Sequence, residues 1–297
     1  MKGFNVCWFP GTDQAGLATD NKVEQMLKKE GIKKQDIGRE AFIEKVWEWK
    51  KTYGNKIIEQ MKLMGTSAHW SKLRFTKDEE CEKAVVKAFV TYYNDGLIYR
   101  GKRMIQYCPR CKTALSDIEV EHKNVKGELV YIKYFLEDSD EFIVIATTRV
   151  ETMLGDTAVA VHPDDPRYKK YHGKKLVLPL IGRKIPIITD EYVEMEFGTG
   201  ALKITPSHDP NDFNLGKKHN LEFISVIDDG LKMNNECGKY SNMTLKDARK
   251  AVKEDLIASE NFLKEEPFVH SVGHCERCKH ILEPVISDQW YLKTKSI

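Results

Sequence analysis

The sequence has little net charge and no apolar stretch of membrane-spanning length. Its 297 residues carry 47 lysines and arginines against 45 aspartates and glutamates, so contact with a nucleic acid would depend on local basic clusters. The amino terminus lacks the apolar run and small-residue cleavage site of a signal peptide. No repeat or low-complexity tract is visible. These absences predict a cytoplasmic protein without a membrane partner, and the length suits about two domains.

Cysteine is scarce, yet four of the seven cysteines form two C-x-x-C pairs. Cys108 with Cys111 and Cys275 with Cys278 supply the four thiolates of a closed tetrahedral zinc site. Two unrelated pairs, or a thioredoxin-like redox motif, are the alternatives, although a redox motif needs one pair in a βαβ context. We predict a structural zinc ion. Weaker ligand candidates near the second pair are His270, His274 and His280. The expected free thiols are Cys7, Cys81 and Cys237.

The two pairs are far apart in the chain, so a shared metal would bring residues 108 and 275 together. The segment between them is therefore predicted to leave a parent domain and return to it. We expect a first domain with the first zinc half-site over 1–123, an inserted domain over 124–270, and the second half-site with the return over 271–297.

Helical periodicity dominates the first 100 residues. One helical face is predicted over 41–64, with Gly65 as the C-cap residue; its members are Phe42, Val46, Trp49, Tyr53, Ile57, Met61 and Met64. A second helix is predicted to begin with a capping box of Thr76 and Glu79 and to end near Gly96. It is expected to direct four side chains toward a core, namely Val85, Phe89, Tyr92 and Tyr93.

Strand signals follow the first cysteine pair. Residues 129–135 and 142–148 are rich in β-branched and aromatic side chains. The runs 176–180 and 185–188 contain prolines, which favour edges or bends. A helix is predicted over 245–257, packed through Leu245, Ala248, Val252 and Leu256. The predicted fold class is α/β, with a strand-rich domain from about 124 to 270.

Two polar runs lie at predicted strand ends. The first, 147–157, groups threonine hydroxyls with one guanidinium, which suits a carboxyl, phosphate or ribose group; a Thr-rich strand with an N-cap is the simpler interpretation. The second, 197–212, combines two glycines with Lys203, His208, Asp209 and Asp212. The two aspartates could hold an ammonium group and a hydroxyl together, or Asp209 could simply cap a helix.

These residues together resemble valyl-tRNA synthetase, a class I aminoacyl-tRNA synthetase. The resemblance rests on the segment 10–19, on both polar runs and on both cysteine pairs, in the family's order and spacing over essentially all 297 residues. Isoleucyl and leucyl relatives have Gly-Trp-Asp near the start where this chain has Gly11-Thr12-Asp13, which favours valine. The resemblance implies a partial Rossmann-like catalytic domain, a zinc-bearing connection and an inserted α/β editing domain.

The resemblance also implies site residues. The residues implied to line the editing pocket are Thr147, Thr148, Arg149, Thr152, Phe197, Lys203, Asp209 and Asp212. Asp212 would anchor the α-ammonium group of misattached threonine, Asp209 and Lys203 would read its hydroxyl or the ester, and Arg149 with the threonines would position the terminal adenosine and the attacking water. Asp13 would hold the ammonium group of valine beside Pro10. The chain would re-enter the catalytic domain at 287–290, where Trp290 is either core or ligand-facing.

The family's two ATP-binding motifs, His-x-Gly-His and Lys-Met-Ser-Lys-Ser, are absent from this sequence. The resemblance therefore implies a fragment that cannot aminoacylate by itself; ATP and Mg²⁺ would act only in the full-length enzyme. The implied partners are tRNA(Val), valine and threonine, and the implied state is a monomer. Two departures stand out: Val150 replaces a usual proline, and Gln14 replaces a common histidine.

Two other interpretations remain open. One is a zinc-ribbon module that binds nucleic acid without catalysis, which leaves Asp209 and Asp212 unexplained. The other is a structural fragment whose editing pocket is disordered without tRNA and the rest of the enzyme. Selective deacylation of Thr-tRNA(Val) over Val-tRNA(Val) would distinguish both from an editing domain.

Overall fold

The computed structural model describes residues 3–13, 16–228 and 230–296, so the departure at Gln14 lies outside the described residues. Over these ranges the helices are α1 (Leu17–Lys29), α2 (Lys34–Tyr53), α3 (Lys56–Leu63), α4 (Glu79–Asn94), α5 (Pro210–Lys218) and α6 (Leu245–Ala258). The strands are β1 (Gly11–Thr12), β2 (Arg74–Phe75), β3 (Ile98–Cys108), β4 (Thr113–Leu115), β5 (Val120–Leu136), β6 (Phe142–Thr147), β7 (Ala158–Val161), β8 (Lys175–Val177), β9 (Lys184–Thr189), β10 (Ala201–Ile204), β11 (Phe262–Cys275) and β12 (Glu283–Leu292). The chain is a mixed α/β protein, as predicted.

The chain divides into two compact units. One consists of Met1–Gly101 with Gln289–Ile297, and the other is Lys102–Asp288. Both cysteine pairs therefore belong to the second unit. The domain boundaries predicted after residues 123 and 270 were placed from the positions of the two zinc half-sites and not from compactness. They stay a prediction. No helix among the described residues combines the length and apolar character that crossing a membrane requires.

The first unit is largely helical. Val23 and Leu27 of α1 are buried against Phe42 of α2, which gives this unit a small core. Strands β1 and β2 pair in parallel, with Gly11 opposite Arg74 and Thr12 opposite Phe75. Trp290 makes edge contacts with Phe89 and Tyr93, at centroid distances of 5.6 and 6.2 Å, and is half exposed.

The single helical face predicted over 41–64 is wrong. The helix ends at Tyr53, and α3 begins at Lys56. This break changes the helical phase, so Ile58 is buried while Ile57 and Met64 are exposed. Gly65 does follow α3 with a φ of 77°, the left-handed conformation that makes glycine the usual residue after a helix.

Helix α4 also differs from its prediction. Asp78, rather than Thr76, is its N-cap, because the Asp78 side chain accepts a hydrogen bond from the Cys81 N–H at 2.8 Å. The four side chains predicted to enter a core are exposed: Val85, Phe89, Tyr92 and Tyr93. Periodicity correctly indicated an apolar helix face, but its side chains stay largely exposed, although Trp290 contacts two of them.

The second unit contains a seven-stranded sheet in the order β10-β7-β9-β8-β5-β11, with β6 also pairing with β5. All pairs are antiparallel except β7 with β9. Helix α6 packs on the sheet through Ala248, Val252 and Leu256, which confirms the predicted helix face. The strands predicted over 129–135 and 142–148 are confirmed within β5 and β6.

Strand β9 occupies an interior position in the sheet although it contains Pro186. Residues 184–186 pair with β8, whereas residues 187–189 pair with β7. Pro186 therefore lies where β9 changes partners, a position that tolerates the missing N–H better than continuous pairing would. The sequence predicted an edge or a bend for this run; β9 is not an edge strand, and its proline lies where the strand changes partners. A separate sheet has the order β12-β3-β4.

Candidate functional site

A cavity of about 540 Å³ opens in the second unit. Its walls come from the end of β6, the 3-10 turn Val150–Gly155, β10 and the start of α5. The structure brings both polar runs to this one cavity. All the residues that the sequence predicted for an editing pocket line it: Thr147, Thr148, Arg149, Thr152, Phe197, Lys203, Asp209 and Asp212.

The turn after β6 is shaped by side-chain hydrogen bonds. Thr147 Oγ1 accepts from the Arg149 N–H at 3.1 Å, and Thr152 Oγ1 donates to the Arg149 carbonyl at 3.0 Å. Val150, the departure from the family's proline, is buried and opens the 3-10 turn. The threonine hydroxyls thus fix the backbone bend that a proline would preset.

Asp212 is the most deeply buried carboxylate on the cavity wall, with 5% of its surface exposed. Its Oδ2 accepts from the Thr205 N–H at 2.8 Å. Burial raises the pKa of Asp212 to about 7, with Lys203 opposing and Asp209 adding to the rise. A cation arriving in the cavity would favour the ionised form of this group.

Lys203 belongs to a buried polar network. Its Nζ lies 3.4 Å from Asp156 Oδ1 and also donates to Thr205 Oγ1. Asp156 is completely buried and accepts from Tyr134 at 2.8 Å and from Thr205 at 2.5 Å. Burial acts to lower the pKa of Lys203, but Asp156 and the other nearby carboxylates outweigh it and raise that pKa. Lys203 is therefore a charged donor held in one place.

Asp209 is the N-cap of α5. Its Oδ1 accepts from the Asn211 N–H at 2.7 Å and from the Asp212 N–H at 3.1 Å. The predicted helix start is thus confirmed, and so is the capping interpretation of Asp209. Because the cap orients α5, it also sets the direction of Asp212 toward the cavity.

Phe197 lies at the cavity rim and is 67% exposed. Its loop is tied to the body of the unit by Arg167, which donates to the Met195 carbonyl at 2.6 Å, and by Tyr168, which donates to the Thr199 carbonyl at 2.6 Å. Gly200 has a φ of 72°, and a Cβ there would lie 2.8 Å from the Met195 carbonyl oxygen. Only glycine permits this close approach without strain.

The cavity is also lined by residues outside the implied pocket set: Tyr192, Glu194, Thr205, Asn211 and His270, together with His208, which had been named only as a member of the second polar run. His208 Nε2 accepts from the Val226 N–H at 2.8 Å, so the ring proton of the neutral form is on Nδ1. Burial, with Arg149 and Lys203, lowers the pKa of His208 to about 3. Thr205 and His208 lie within the second polar run, 197–212. For His270 the available signal was the alternation of side chains along β11.

The predicted valine-binding residues belong to the first unit and are not among the lining residues of the cavity. Pro10 is buried, and Asp13 is exposed at the end of β1, where its Oδ1 accepts from Thr76 Oγ1 at 3.1 Å. The carboxyl ends of parallel strands are the usual ligand sites of α/β folds. The structure thus places Asp13 suitably, and its role stays a prediction.

The four paired cysteines form one cluster. Their sulfur atoms all lie within 4.8 Å of one another, compared with about 3.8 Å expected around zinc with Zn–S bonds of about 2.3 Å. Lys112 and Lys279, which follow the two pairs, have left-handed φ values of 53° and 62°, and each donates to the carbonyl of its first cysteine at 2.8 Å. The two loops are therefore alike, and the donor set fits a four-thiolate metal site.

The three nearby histidines are outside the cysteine cluster. His274 Nδ1 is 2.9 Å from the Val272 carbonyl, and the His280 carbonyl accepts from the Cys275 N–H at 2.8 Å. His270 lines the cavity instead. Burial raises the pKa of the Cys108 thiol, and four thiolates at this spacing would need a cation to balance their charge.

Comparisons with known proteins show the family of this chain. The chain is similar to the valine–tRNA ligases of Carboxydothermus hydrogenoformans, at 54% identity over 297 residues, and of Thermotoga maritima, at 52% over 298 residues. A third relative, the valine–tRNA ligase of Bdellovibrio bacteriovorus, is 52% identical over 297 residues. Each comparison covers 100% of this chain and 33 to 34% of the relative, so the chain spans about a third of the length of these curated relatives.

The family model described as tRNA synthetases class I (I, L, M and V) matches residues 1–297. The match extends through both compact units, both polar runs and both cysteine pairs. The chain therefore belongs to the class I tRNA synthetases of the I, L, M and V group.

Proposed function

We propose that this chain is part of a valine–tRNA ligase and that its cavity is the editing site, which hydrolyses threonine from mischarged Thr-tRNA(Val). The observation that supports this most is the convergence of both polar runs on one cavity with the buried Asp212 on its wall. The similarity to three valine–tRNA ligases at 52 to 54% identity supports the choice of amino acid.

The polarity of the cavity suits the selection that such an enzyme must make. Valine and threonine are nearly isosteric, and the hydrophobic synthetic site of this family is known to separate them only about a hundredfold. A second site that pairs with the threonine hydroxyl would reject valine, because valine would leave buried polar groups without partners. The cavity presents such groups on Lys203, Asp209 and Asp212.

Asp212 would anchor the α-ammonium group of the threonyl ester. Its Oδ2 accepts a hydrogen bond from the Thr205 N–H, which holds this oxygen in place. Because the pKa of Asp212 is about 7, its carboxyl group is partly protonated near neutral pH when no substrate is bound. An incoming ammonium group lowers that pKa and forms a charge-assisted hydrogen bond with the carboxylate.

Lys203 and Asp209 would read the remaining polar atoms of threonine. Lys203 is fixed by Asp156 and Thr205, so it can donate to the ester carbonyl or the threonine hydroxyl without reorganising. Asp209 uses Oδ1 alone for the helix cap, and its carboxylate lines the cavity. Both residues would therefore combine a structural contact with substrate recognition.

Hydrolysis would proceed by direct attack of water. No serine or cysteine lines the cavity in the described part of the chain, so we infer no covalent intermediate. The water oxygen bonds to the carbonyl carbon, the bond from that carbon to the ribose oxygen breaks, and the ribose oxygen takes up a proton. The site would contribute mainly positioning and stabilisation of the carbonyl oxygen's developing negative charge.

The rest of the assignment concerns the longer protein. The second unit would be the editing domain with its zinc-bearing connection, and the first unit would be part of the Rossmann-like catalytic domain, where Asp13 holds valine beside Pro10. Zinc would be structural, since four thiolates leave no open coordination position. ATP, Mg²⁺ and tRNA(Val) would serve aminoacylation in the full-length enzyme, in the cytoplasm.

The test is deacylation of Thr-tRNA(Val) and Val-tRNA(Val) by the 297-residue chain and by its Asp212→Ala variant. We expect selective release of threonine, reduced at least roughly a hundredfold in the variant, because a buried charged contact made to the reacting ester is lost. Glu254→Ala, on the exposed side of α6, is the control. An unimpaired Asp212→Ala variant would discard the role of Asp212, and equal rates on both substrates would discard the editing assignment.

A further inference from the structure

Arg149 is held from two sides by carboxylates. Its Nη2 donates to Glu283 Oε2 at 2.6 Å, and its Nε lies 3.4 Å from Glu151 Oε1. The Arg149 side chain retains 26% exposure, while that of Glu283 retains 15%. The guanidinium thus lines the cavity in an orientation that neighbouring carboxylates determine.

Glu151 cannot hold Arg149 alone. It is completely buried, and Arg249 donates to both of its oxygens, at 2.8 and 2.7 Å. Glu151 is thus balanced by Arg249, and the short contact to Glu283 supplies the second negative charge for Arg149. The cluster contains two arginines and two glutamates, so each guanidinium has one closely bonded carboxylate.

Glu283 reaches Arg149 from β12, a strand that lies in the return segment predicted over 271–297. It begins β12 and directly follows Leu282, which is buried in the cluster with Cys108 and Cys275. The Leu282 N–H donates to the Gly273 carbonyl at 2.9 Å. The backbone that carries Glu283 is therefore anchored, which allows its carboxylate to serve as a fixed reference for Arg149.

We propose that Glu283 is a positioning residue of the cavity: it orients the Arg149 guanidinium so that this group can receive the aminoacylated 3′ end of the RNA. This inference rests on the proposed editing function. Two donors of a rigid planar fork are set by Glu283 and Glu151, and the direction of the whole guanidinium follows. Without Glu283, Arg149 would keep only its longer contact to Glu151 and would rotate away.

The kinetic test is a double-mutant cycle in the 297-residue chain with Arg149→Ala, Glu283→Ala and both together, assayed by deacylation of Thr-tRNA(Val). We expect Glu283→Ala to raise KM by roughly tenfold with a smaller change in kcat, and the double variant to be no worse than Arg149→Ala. Additive losses, or a Glu283→Ala rate within about twofold of the parent, would overturn the proposal. Glu254→Gln is the control for loss of one negative charge.

A second measurement does not depend on activity. The Arg149 Nε–H resonance, assigned by its disappearance in Arg149→Lys, should be sharp and slow to exchange in the parent chain. In Glu283→Gln, which keeps the side-chain size if Glu283→Ala fails to fold, this signal should shift and broaden. An unchanged signal would contradict the positioning role. A changed signal in a chain that does not deacylate Thr-tRNA(Val) would support the role of Glu283 while rejecting the editing assignment.

Discussion

At the scale of single residues, Asp212 shows how a site can cost stability. Its carboxylate is buried, and burial raises its pKa to about 7 from an ordinary value of 3.8. The folded chain therefore keeps the proton to a higher pH than the unfolded chain does. This contribution to stability is present at acidic pH, decreases as the pH rises from about 4, and is lost once the pH passes about 7.

Replacement of Asp212 by asparagine should separate stability from activity. The amide oxygen can still accept from the Thr205 N–H, but the variant has no charge to bury. We expect the variant's advantage in free energy of unfolding to grow between pH 5 and pH 8, reaching a few kcal/mol, while its deacylation activity falls. Urea unfolding at both pH values measures this. A pH-independent difference would show that Asp212 has an ordinary pKa.

At the scale of elements, helix α6 provides a sensitive test of the fold. Its buried stripe includes Leu256, which is 0% exposed, while the neighbouring Ile257 is 53% exposed. Leu256→Ala should lower the free energy of unfolding by about 2 to 5 kcal/mol, because it leaves a cavity against the sheet. Ile257→Ala should change it by roughly 0.5 kcal/mol. Equal effects of the two substitutions, measured by urea unfolding, would contradict the helix orientation.

The comparison of α6 with α2 and α3 shows what the sequence could predict at this scale. Periodicity located α6 and its buried face because the helix is continuous and both caps are local. It failed over 41–64 because the break after Tyr53 changes the helical phase, and the spacing of the apolar residues does not reveal such a break. For α4 it found an apolar face whose side chains stay largely exposed, since burial depends on partners outside the helix.

The candidate site was predictable to the extent that its residues cluster in the sequence. Thr147 to Thr152 and Lys203 to Asp212 are short polar runs next to strands, so both were visible. Asp156 lies within the first polar run, yet its place beneath Lys203 follows from the pairing of β7 with β10. Glu283 lies 134 positions from Arg149, and only the tertiary fold brings the two together.

At the scale of the whole molecule, the cysteine cluster lies where the two long strands β5 and β11 begin and end. Cys275 is the last residue of β11 and lies opposite Val120 at the start of β5. Cys108 ends β3. A metal bound to all four sulfurs would therefore fix one end of the paired strands β5 and β11. Farther along, the same two strands contribute Leu129, Phe268 and His270 to the cavity wall.

We therefore predict that the purified chain binds about one zinc ion and that Cys275→Ser releases it. Because metal binding to four thiolates contributes directly to folding, the loss should lower the unfolding temperature markedly. Cys237→Ser is the matched control, since Cys237 is also buried but donates to the Val226 carbonyl at 3.2 Å outside the cluster. Elemental analysis and thermal unfolding of the three proteins decide the matter. A wild-type chain that binds no zinc when zinc is supplied during expression, or a Cys275→Ser variant that retains it, would reject the four-cysteine zinc site.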